Sequence, residues 1–518
     1  MSEDIKHECG VALLRPLKSH PGDWGGAKLS LLLEKQHNRG QDGVGAATEL
    51  CGEFTVLKDT ELQGLLSQIA KRDTRGEDIF LGHLRYATFG RKNLDYCHPF
   101  LSGDLALAGN FNLTENPDQS RPDCAVVCER IASKLDKGIV TALKETLSGL
   151  DGAYVFVGMT KQGEAFAIRD PHAIRPGYYY ISGEFVAVAS ERPAIQAAFD
   201  CSVDDVKPLP PGKALVIDKE GRAVFHDCLE PKEKRSCVFE RIYFSRANDH
   251  LIHHERKMLG AALANRIIEA ADDDIENTFF SYIPNSAQVS FHGLLEKLFK
   301  VGMREGKNVR FGQICVKDAK FRTFIADAAS RKEFYKHVYD VTYGLVREGK
   351  DDLVVIDDSI VRGNTMRNAI LPMLDRLGPK KIVIASSAPP IKYPDCYGID
   401  MSTLGELVAF RALVNLLGAN ADEELKAAYE SAELNPLEKL YARFSDAELS
   451  KEVARLLTPP ELKAEVEVVY QRVKDLHQCC PLNKGDWYFT GDYPTPGGYK
   501  VLRKALKNYL EKSNDRSY

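Results

Sequence analysis

Four consecutive apolar residues closed by two carboxylates, Leu353-Val354-Val355-Ile356 followed by Asp357-Asp358, constrain this chain more than any other feature. A run that is apolar at every position and rich in β-branched residues suits a strand buried on both faces of a parallel sheet. The loop Ser359-Ile360-Val361-Arg362-Gly363-Asn364-Thr365 comes next, rich in hydroxyl and amide groups, and a helical pattern runs from Met366 to Leu377. Strand, tight loop and helix in that order aim backbone N–H groups and the positive end of a helix dipole at one point beyond the strand's carboxyl edge. Such a point suits a phosphate. Paired carboxylates would repel a phosphate, yet they can accept hydrogen bonds from vicinal hydroxyls and help hold a Mg²⁺ shared with a diphosphate. The residues thus fit a phosphorylated ribose carrying a metal-bound diphosphate. A plain βα turn, with an N-cap and acidic residues favouring the helix start, accounts for the same pattern.

The run VVIDDSIVRGNT from Val354 to Thr365 closely resembles the phosphoribosyl-diphosphate (PRPP) signature of type I phosphoribosyltransferases. That resemblance implies that Asp357 and Asp358 hold the ribose hydroxyls and the Mg²⁺ environment. It places Ser359, Ile360, Val361, Arg362, Gly363, Asn364 and Thr365 around the 5-phosphate.

At 518 residues the chain is too long for one core and suggests two or three domains. Hydrophobic residues at 44% and charged residues at 28% are ordinary for a soluble globular protein. A net charge of -5 gives no general attraction to nucleic acid or acidic membranes, and no apolar run approaches the length of a membrane span. The start, MSEDIKHECG, lacks the basic and apolar regions of a secretory signal, so a cytoplasmic location is expected. Twelve scattered cysteines then read as reduced thiols rather than a disulfide framework.

Cys9 opens an apolar, strand-like run to Leu14, where an isolated cysteine is commonly a core thiol. Four segments follow: Gln36 to Gly43 (QHNRGQDG), Gly82 to Thr88 (GHLRYAT), Gly109 to Thr114 (GNFNLT) and Arg169 to Pro176 (RDPHAIRP). In this order they resemble the glutaminase domain of class II, N-terminal-nucleophile amidotransferases, in which Cys-Gly starts the mature chain. An α-amino group with a pKa near about 8 can serve as base for an adjacent thiol, so residues 1–8 are expected to be a removed propeptide. By matching position, Arg85 is expected to pair with the glutamine α-carboxylate and Asp123 to hold its α-amino group. Asn110, with the N–H of Phe111, is expected to form the oxyanion hole. Two departures stand out: Asn38 interrupts the usual QHRGQD, and GNFN replaces the family's HNGN. A glycine-only backbone angle at Phe111 would be strained. Short β runs from Ala153 to Val188 fit two packed sheets, and Glu230 to Arg235 reads as a charged linker; the glutaminase resemblance implies an N-terminal αββα sandwich over 9–230.

Cys237 to Arg246, CVFERIYFSR, resembles the entry to the transferase domain of glutamine PRPP amidotransferases. Glu255 to Ala270 reads as an amphipathic helix, and Phe279 to Ser286 as a strand entering a turn at Pro284-Asn285-Ser286. The amides of that turn could cradle a diphosphate, although Asn285 stands where the family has an acid. Lys317 to Ile325, including Arg322, with Arg331-Lys332 beyond, resembles the loop that closes over PRPP, where basic residues meet the leaving diphosphate. Lys381 to Ser387 supplies another parallel-type strand, and YGIDM at Tyr397 to Met401 also matches. A parallel-sheet α/β domain over 237–417 follows, with a helical C-terminal extension over 418–518. Taken whole, the chain resembles the amidophosphoribosyltransferase family. The resemblance implies glutamine hydrolysis at Cys9, ammonia transfer to C1 of PRPP, purine nucleotides as inhibitors and a homo-oligomer.

Some family members hold a [4Fe–4S] cluster. Cys237 and Cys396 match two of its ligands, but the adjacent Cys479-Cys480 pair is displaced and awkward for two corners of one cluster, so structural thiols are expected instead. Phe111 and Asn285 favour a different reading, a catalytically weakened paralogue that binds PRPP or purine nucleotides as a regulatory subunit.

Overall fold

A computed structural model describes residues 9–87, 93–115, 121–317, 339–513 and 517; the expected propeptide lies outside them. Period-two alternation builds two antiparallel sheets in the N-terminal half. The first orders the strands Lys207–Pro208, Tyr178–Ile181, Phe185–Ala189, Gly10–Pro16, Ile79–Arg85, Gly43–Leu50 and Glu53–Asp59. The second runs Ala223–Asp227, Lys213–Ile217, Ala165–Arg169, Gly152–Thr160, Leu105–Leu113 and Phe100–Ser102.

Alternation also sorts the side chains into layers. Val11 and Leu13 meet Leu81, Ala106, Ala108 and Val155 between the sheets. Ala12 and Leu14 turn the other way, onto the helices Trp24–Lys35, Leu62–Ala70 and Arg192–Phe199. Leu105 and Leu107 face the helices Asp123–Ala132 and Ile139–Leu147. The layers are helix, sheet, sheet, helix, the αββα sandwich the sequence led one to expect.

The C-terminal half is a parallel sheet in the order Arg310–Phe311, Thr278–Tyr282, Asp352–Asp357, Lys381–Ser386 and Glu465–Tyr470. Its central strand is the one predicted: Leu353, Val354, Val355 and Ile356 have no exposed surface. Leu353 and Val355 enter one core cluster, Val354 and Ile356 the cluster on the opposite face. Full burial contributes about 2 kcal/mol per side chain, before the entropy of ordering the chain. The predicted helix after the loop forms as a π turn, Met366–Ile370, continued by Leu371–Asp375.

The tail differs from the expected helical extension in one respect. Glu465–Tyr470 is a strand, and it pairs with Lys381–Ser386 as the fifth member of the parallel sheet. The β-branched residues of EVEVVY outweigh the helix-forming glutamates, because they fill both faces of the sheet. Further on, Gly485 forms a parallel bridge to Cys237, while Thr495 Oγ1 and Gly497 N donate to Asp151 of the first half at 2.5 and 2.9 Å. The tail thus clamps the halves together. No described helix is long and apolar enough to cross a membrane.

Candidate active sites

The first site lies at one end of the space between the antiparallel sheets. Gly10 pairs with Leu84 and Val11 with His83, so the next rung sets Cys9 opposite Arg85. Cys9 shares the parity of Val11 and Leu13, Arg85 that of Leu81, and Asn110 that of Ala106 and Ala108. All three side chains therefore belong to the inter-sheet face. Tyr86 N donates to Cys9 Sγ at 3.3 Å, and Arg39 Nε donates to the Cys9 carbonyl oxygen at 3.1 Å.

Burial raises the Cys9 thiol above its ordinary range, although the Tyr86 hydrogen bond and the charges of Arg85 and Arg39 oppose it. The thiol accordingly needs a base. His83 cannot serve, since burial depresses its imidazole to about 3 and its Nε2 lies 3.2 Å from the Gly109 oxygen. A freed α-amino group on Cys9 would supply one.

Asn110 is 1% exposed, and its Nδ2 finds no acceptor among the described residues. A buried amide donor without a partner is costly unless a ligand uses it. Phe111 does not carry the strain expected of it, because it sits in the Leu105–Leu113 strand without a positive φ. Its ring belongs to the helix-side cluster, 5.0 Å from Phe156. A Cβ on Gly109, on that same face, would come 2.5 Å from Phe156 Cδ1 and 3.0 Å from Phe111 Cδ1. Relative to HNGN, bulk has moved two residues along one face. Asp123 opens the helix Asp123–Ala132.

The second site is the carboxyl edge of the parallel sheet. Asp358 is 7% exposed; its Oδ1 accepts from Ser359 Oγ at 2.9 Å and its Oδ2 from Ser286 Oγ. One carboxylate thereby ties together the two loops expected to hold the diphosphate and the 5-phosphate. Pro284 is buried, Asn285 is exposed and the peptide between them is cis. In the other loop, the carbonyls of Val361 and Gly363 accept from Val408 N and Arg367 N, each at 2.9 Å, and that of Arg362 accepts from Arg411. Among the described residues no acceptor is found for the N–H groups from Ser359 to Asn364. Carbonyls turned away and amides left over are what an anion-binding loop requires. Gly363 allows the turn with φ of +77° and lies against Leu457.

Not every expected residue reaches this edge with its side chain. Ile360 and Val361 are buried in the core, and Arg362 is engaged by Glu406 at 2.8 Å and the Asp400 carbonyl at 3.0 Å. These three can act on a phosphate only through their amides. The side chain of Lys317, and Arg322 entirely, lie outside the described residues.

The cysteines do not fit an iron–sulfur cluster. Tyr488 places its hydroxyl 3.5 Å from Cys237 Sγ, and Trp487 Nε1 donates to Asp395 beside Cys396 at 2.7 Å. Cys479 and Cys480 are buried in the core at the end of the helix Val473–Cys479. Burial pushes the Cys237 thiol to about 12 and that of Cys479 to about 11. Among the described residues no group of three or more His, Cys, Asp or Glu is placed to hold a metal ion.

Apart from Asn38, the residues that link the two sites are not singled out by the sequence. Arg39 is clamped by Glu191 at 3.1 Å and Glu240 at 2.6 Å, and Asn38 Nδ2 donates to Glu191 at 2.7 Å. Arg256 donates to the carbonyls of Arg241, Tyr243 and Ser245 at 2.7 to 3.0 Å. Burial lowers its pKa to about 10, against the charge of nearby Asp358. None of these contacts has a local periodic signal.

The glutamine amidotransferase domain family matches residues 104–197, which include Asn110 and Phe111. The amidophosphoribosyltransferase of Bacillus subtilis is 30% identical over 440 residues, covering 78% of this chain and 84% of that one. The chain belongs to the amidophosphoribosyltransferase family. A Bacillus subtilis glutamine PRPP amidotransferase structure, complexed with ADP and GMP, superposes with a TM-score of 0.69 at 26% identity, covering 94% of this chain and 97% of its own. A second structure, described as the allosteric regulatory enzyme of purine biosynthesis, gives 0.71 at 26% identity over 94% and 96%. The similarity to these two structures thus spans both candidate sites.

Proposed function

We propose that the chain is an amidophosphoribosyltransferase, which hydrolyses glutamine at Cys9 and delivers the ammonia to PRPP. The products are glutamate, diphosphate and 5-phosphoribosylamine, the first step of purine synthesis. The observation that carries this reading is Asp358 bridging Ser286 and Ser359, beside a loop whose amides are turned outward.

In the first half, the α-amine of a processed Cys9 takes the thiol proton as sulfur attacks the glutamine amide and returns it to the departing ammonia; water, giving a proton to the same amine, then cleaves the thioester, and glutamate leaves as the thiol is restored. Asn110 Nδ2 and Phe111 N–H stabilise the oxyanion, Arg85 holds the α-carboxylate and Asp123 the α-amino group. In the second half, Asp357 and Asp358 receive the ribose hydroxyls, the amides from Ser359 to Thr365 the 5-phosphate, and Pro284, Asn285 and Ser286 the diphosphate. The two carboxylates are hard oxygen donors suited to Mg²⁺, which when bound would neutralise charge on the leaving diphosphate. Lys317 and Arg322 supply positive charge to that group. Purine nucleotides act as inhibitors, in keeping with ADP and GMP in the Bacillus subtilis structure, and the protein works as a cytoplasmic homo-oligomer.

Intact-mass measurement of the mature chain, combined with glutamate and diphosphate assays in glutamine, PRPP and Mg²⁺, tests the reading. Loss of residues 1–8 and equal release of both products is the expected result. Binding of PRPP without turnover would overturn it in favour of a regulatory paralogue.

A further inference from the structure

The peptide of Gly109, one residue before Asn110, is held at both its polar groups by imidazoles. Gly109 N donates to His98 Nδ1 at 3.3 Å, and His83 Nε2 lies 3.2 Å from Gly109 O. The two rings stack at a centroid distance of 4.0 Å with 11° between their planes, and both are buried.

Strand geometry explains why imidazoles stand there. Along an antiparallel strand, successive residues point their N–H and C=O to opposite edges. Thr114 N and Asp104 O bond to Asp151 and Lys161 on the Gly152–Thr160 side, so even-numbered residues of the Leu105–Leu113 strand face that neighbour. Odd-numbered residues face the three-residue strand Phe100–Ser102, which pairs Ser102 with Leu105 and Phe100 with Leu107 and then ends. The next rung would set residue 98 against Gly109. In place of a continued strand, His98 and His83 take the Gly109 N–H and C=O, and the N–H of Phe111 points to the same vacated edge.

The hydrogen bonds fix the tautomers. His83 donates through Nε2–H, which leaves its buried Nδ1 without a partner among the described residues. His98 accepts at Nδ1 and so carries its proton on Nε2.

We propose that His83 and His98 are positioning residues of the glutaminase site, a two-imidazole clamp on Gly109 that holds the strand edge so that Asn110 Nδ2 and Phe111 N–H meet the oxyanion. The proposal rests on the glutaminase reading of Cys9 and Asn110. It adds that the clamp acts on the transition state rather than on glutamine binding.

The test uses the processed full-length chain. His98→Leu removes the acceptor, whereas His98→Asn keeps one near the place of Nδ1; His83→Leu and His83→Gln do the same for the donor. The leucine variants are expected to lower glutaminase kcat about 100-fold, as loss of an oxyanion donor does. KM for glutamine should stay within about twofold, and alkylation of Cys9 by iodoacetamide, which needs no oxyanion hole, should keep its rate. The Asn and Gln variants should recover most of kcat. Near-ultraviolet circular dichroism identifies any leucine variant that fails to fold, and the Asn and Gln variants then decide alone by the ratio of kcat to KM effects. Wild-type kcat in a folded leucine variant would overturn the proposal, as would a KM that rises as far as kcat falls, or conservative variants no better than leucine. A wild-type chain that releases no glutamate would instead sink the glutaminase reading.

Discussion

Arg39 and Glu240, 201 residues apart, meet at 2.6 Å with both side chains almost wholly buried. Burial opposes both charges, yet Arg39 holds the Glu240 carboxyl below its ordinary range, whereas burial keeps Glu191 above its own. Glu240 is thus the main counter-charge of Arg39. The pair joins the Cys9 carbonyl to the segment that opens the transferase half, whose Ser245 donates to Glu240 and whose carbonyls receive Arg256 near Asp358.

Removing one member of a buried ion pair leaves an uncompensated charge and costs about 3–5 kcal/mol. Arg39→Met strands two carboxylates and is expected to destabilise the protein more than Glu240→Gln, which leaves Arg39 with Glu191. Urea unfolding followed by tyrosine fluorescence gives the order. Equal stability of Glu240→Gln and wild type would show that the pair holds nothing together.

Acid should weaken the first half before the second. Burial lowers the pKa of both His83 and His98, His83 to about 3, with Arg85 and Lys58 as facing cations that add to the effect. The unfolded chain binds these protons near pH 6.5 and the folded chain only far below it. Stability from the neutral rings is therefore complete above about pH 6.5 and falls as pH drops toward 3, by up to about 1.4 kcal/mol per pH unit for each ring. Urea midpoints at pH 7.5 and 5.5 should differ in the wild type, and the difference should shrink by about half in His98→Asn, which keeps the His83 contribution. A midpoint in the wild type that does not move between those pH values contradicts the burial argument.

The central strand was legible because a run that is apolar at every position admits few structures, whereas its acidic pair was singled out from a plain βα turn only by resemblance to a PRPP signature. Cys9, Arg85 and Asn110 could be picked out by resemblance, and parity then put them on one face. Glu465–Tyr470 was hidden because its glutamates sit in a helix-forming stretch, and only a sheet edge elsewhere in the chain makes it a strand. The Arg39–Glu240 pair and the His83–His98 stack were hidden for a related reason. Their partners lie in other elements, and nothing local announces a contact made across the fold.

Asp358→Asn should separate the two halves of the reaction. Its carboxylate accepts from Ser286 and Ser359, and a charged acceptor contributes about 1.5–3 kcal/mol per hydrogen bond. The amide keeps one acceptor and replaces the other by a donor facing a hydroxyl. Diphosphate release at low PRPP is expected to fall about 100-fold, seen as a loss in kcat/KM for PRPP. Retention of wild-type kcat/KM would remove Asp358 from the site.

The exchange of bulk between residues 109 and 111 makes the sharpest prediction. A side chain on Gly109 must enter space held by Phe156 and Phe111, so Gly109→His alone overpacks a buried layer, which typically costs about 1–3 kcal/mol. Phe111→Gly alone empties part of that layer and costs a similar amount through the cavity. Together the two changes restore HNGN, and the imidazole at 109 takes the place of the lost ring while Phe156 shifts toward residue 111. The double variant should be more stable than the sum of the singles by at least about 1 kcal/mol, since both side chains compete for one space. Its glutaminase kcat should stay close to wild type, because the N–H groups at the strand edge do not depend on which residue carries the bulk. Additive losses in stability would mean that the two positions do not share a cavity. Restored stability with lost activity would mean that Phe111 does more for the oxyanion hole than present its amide.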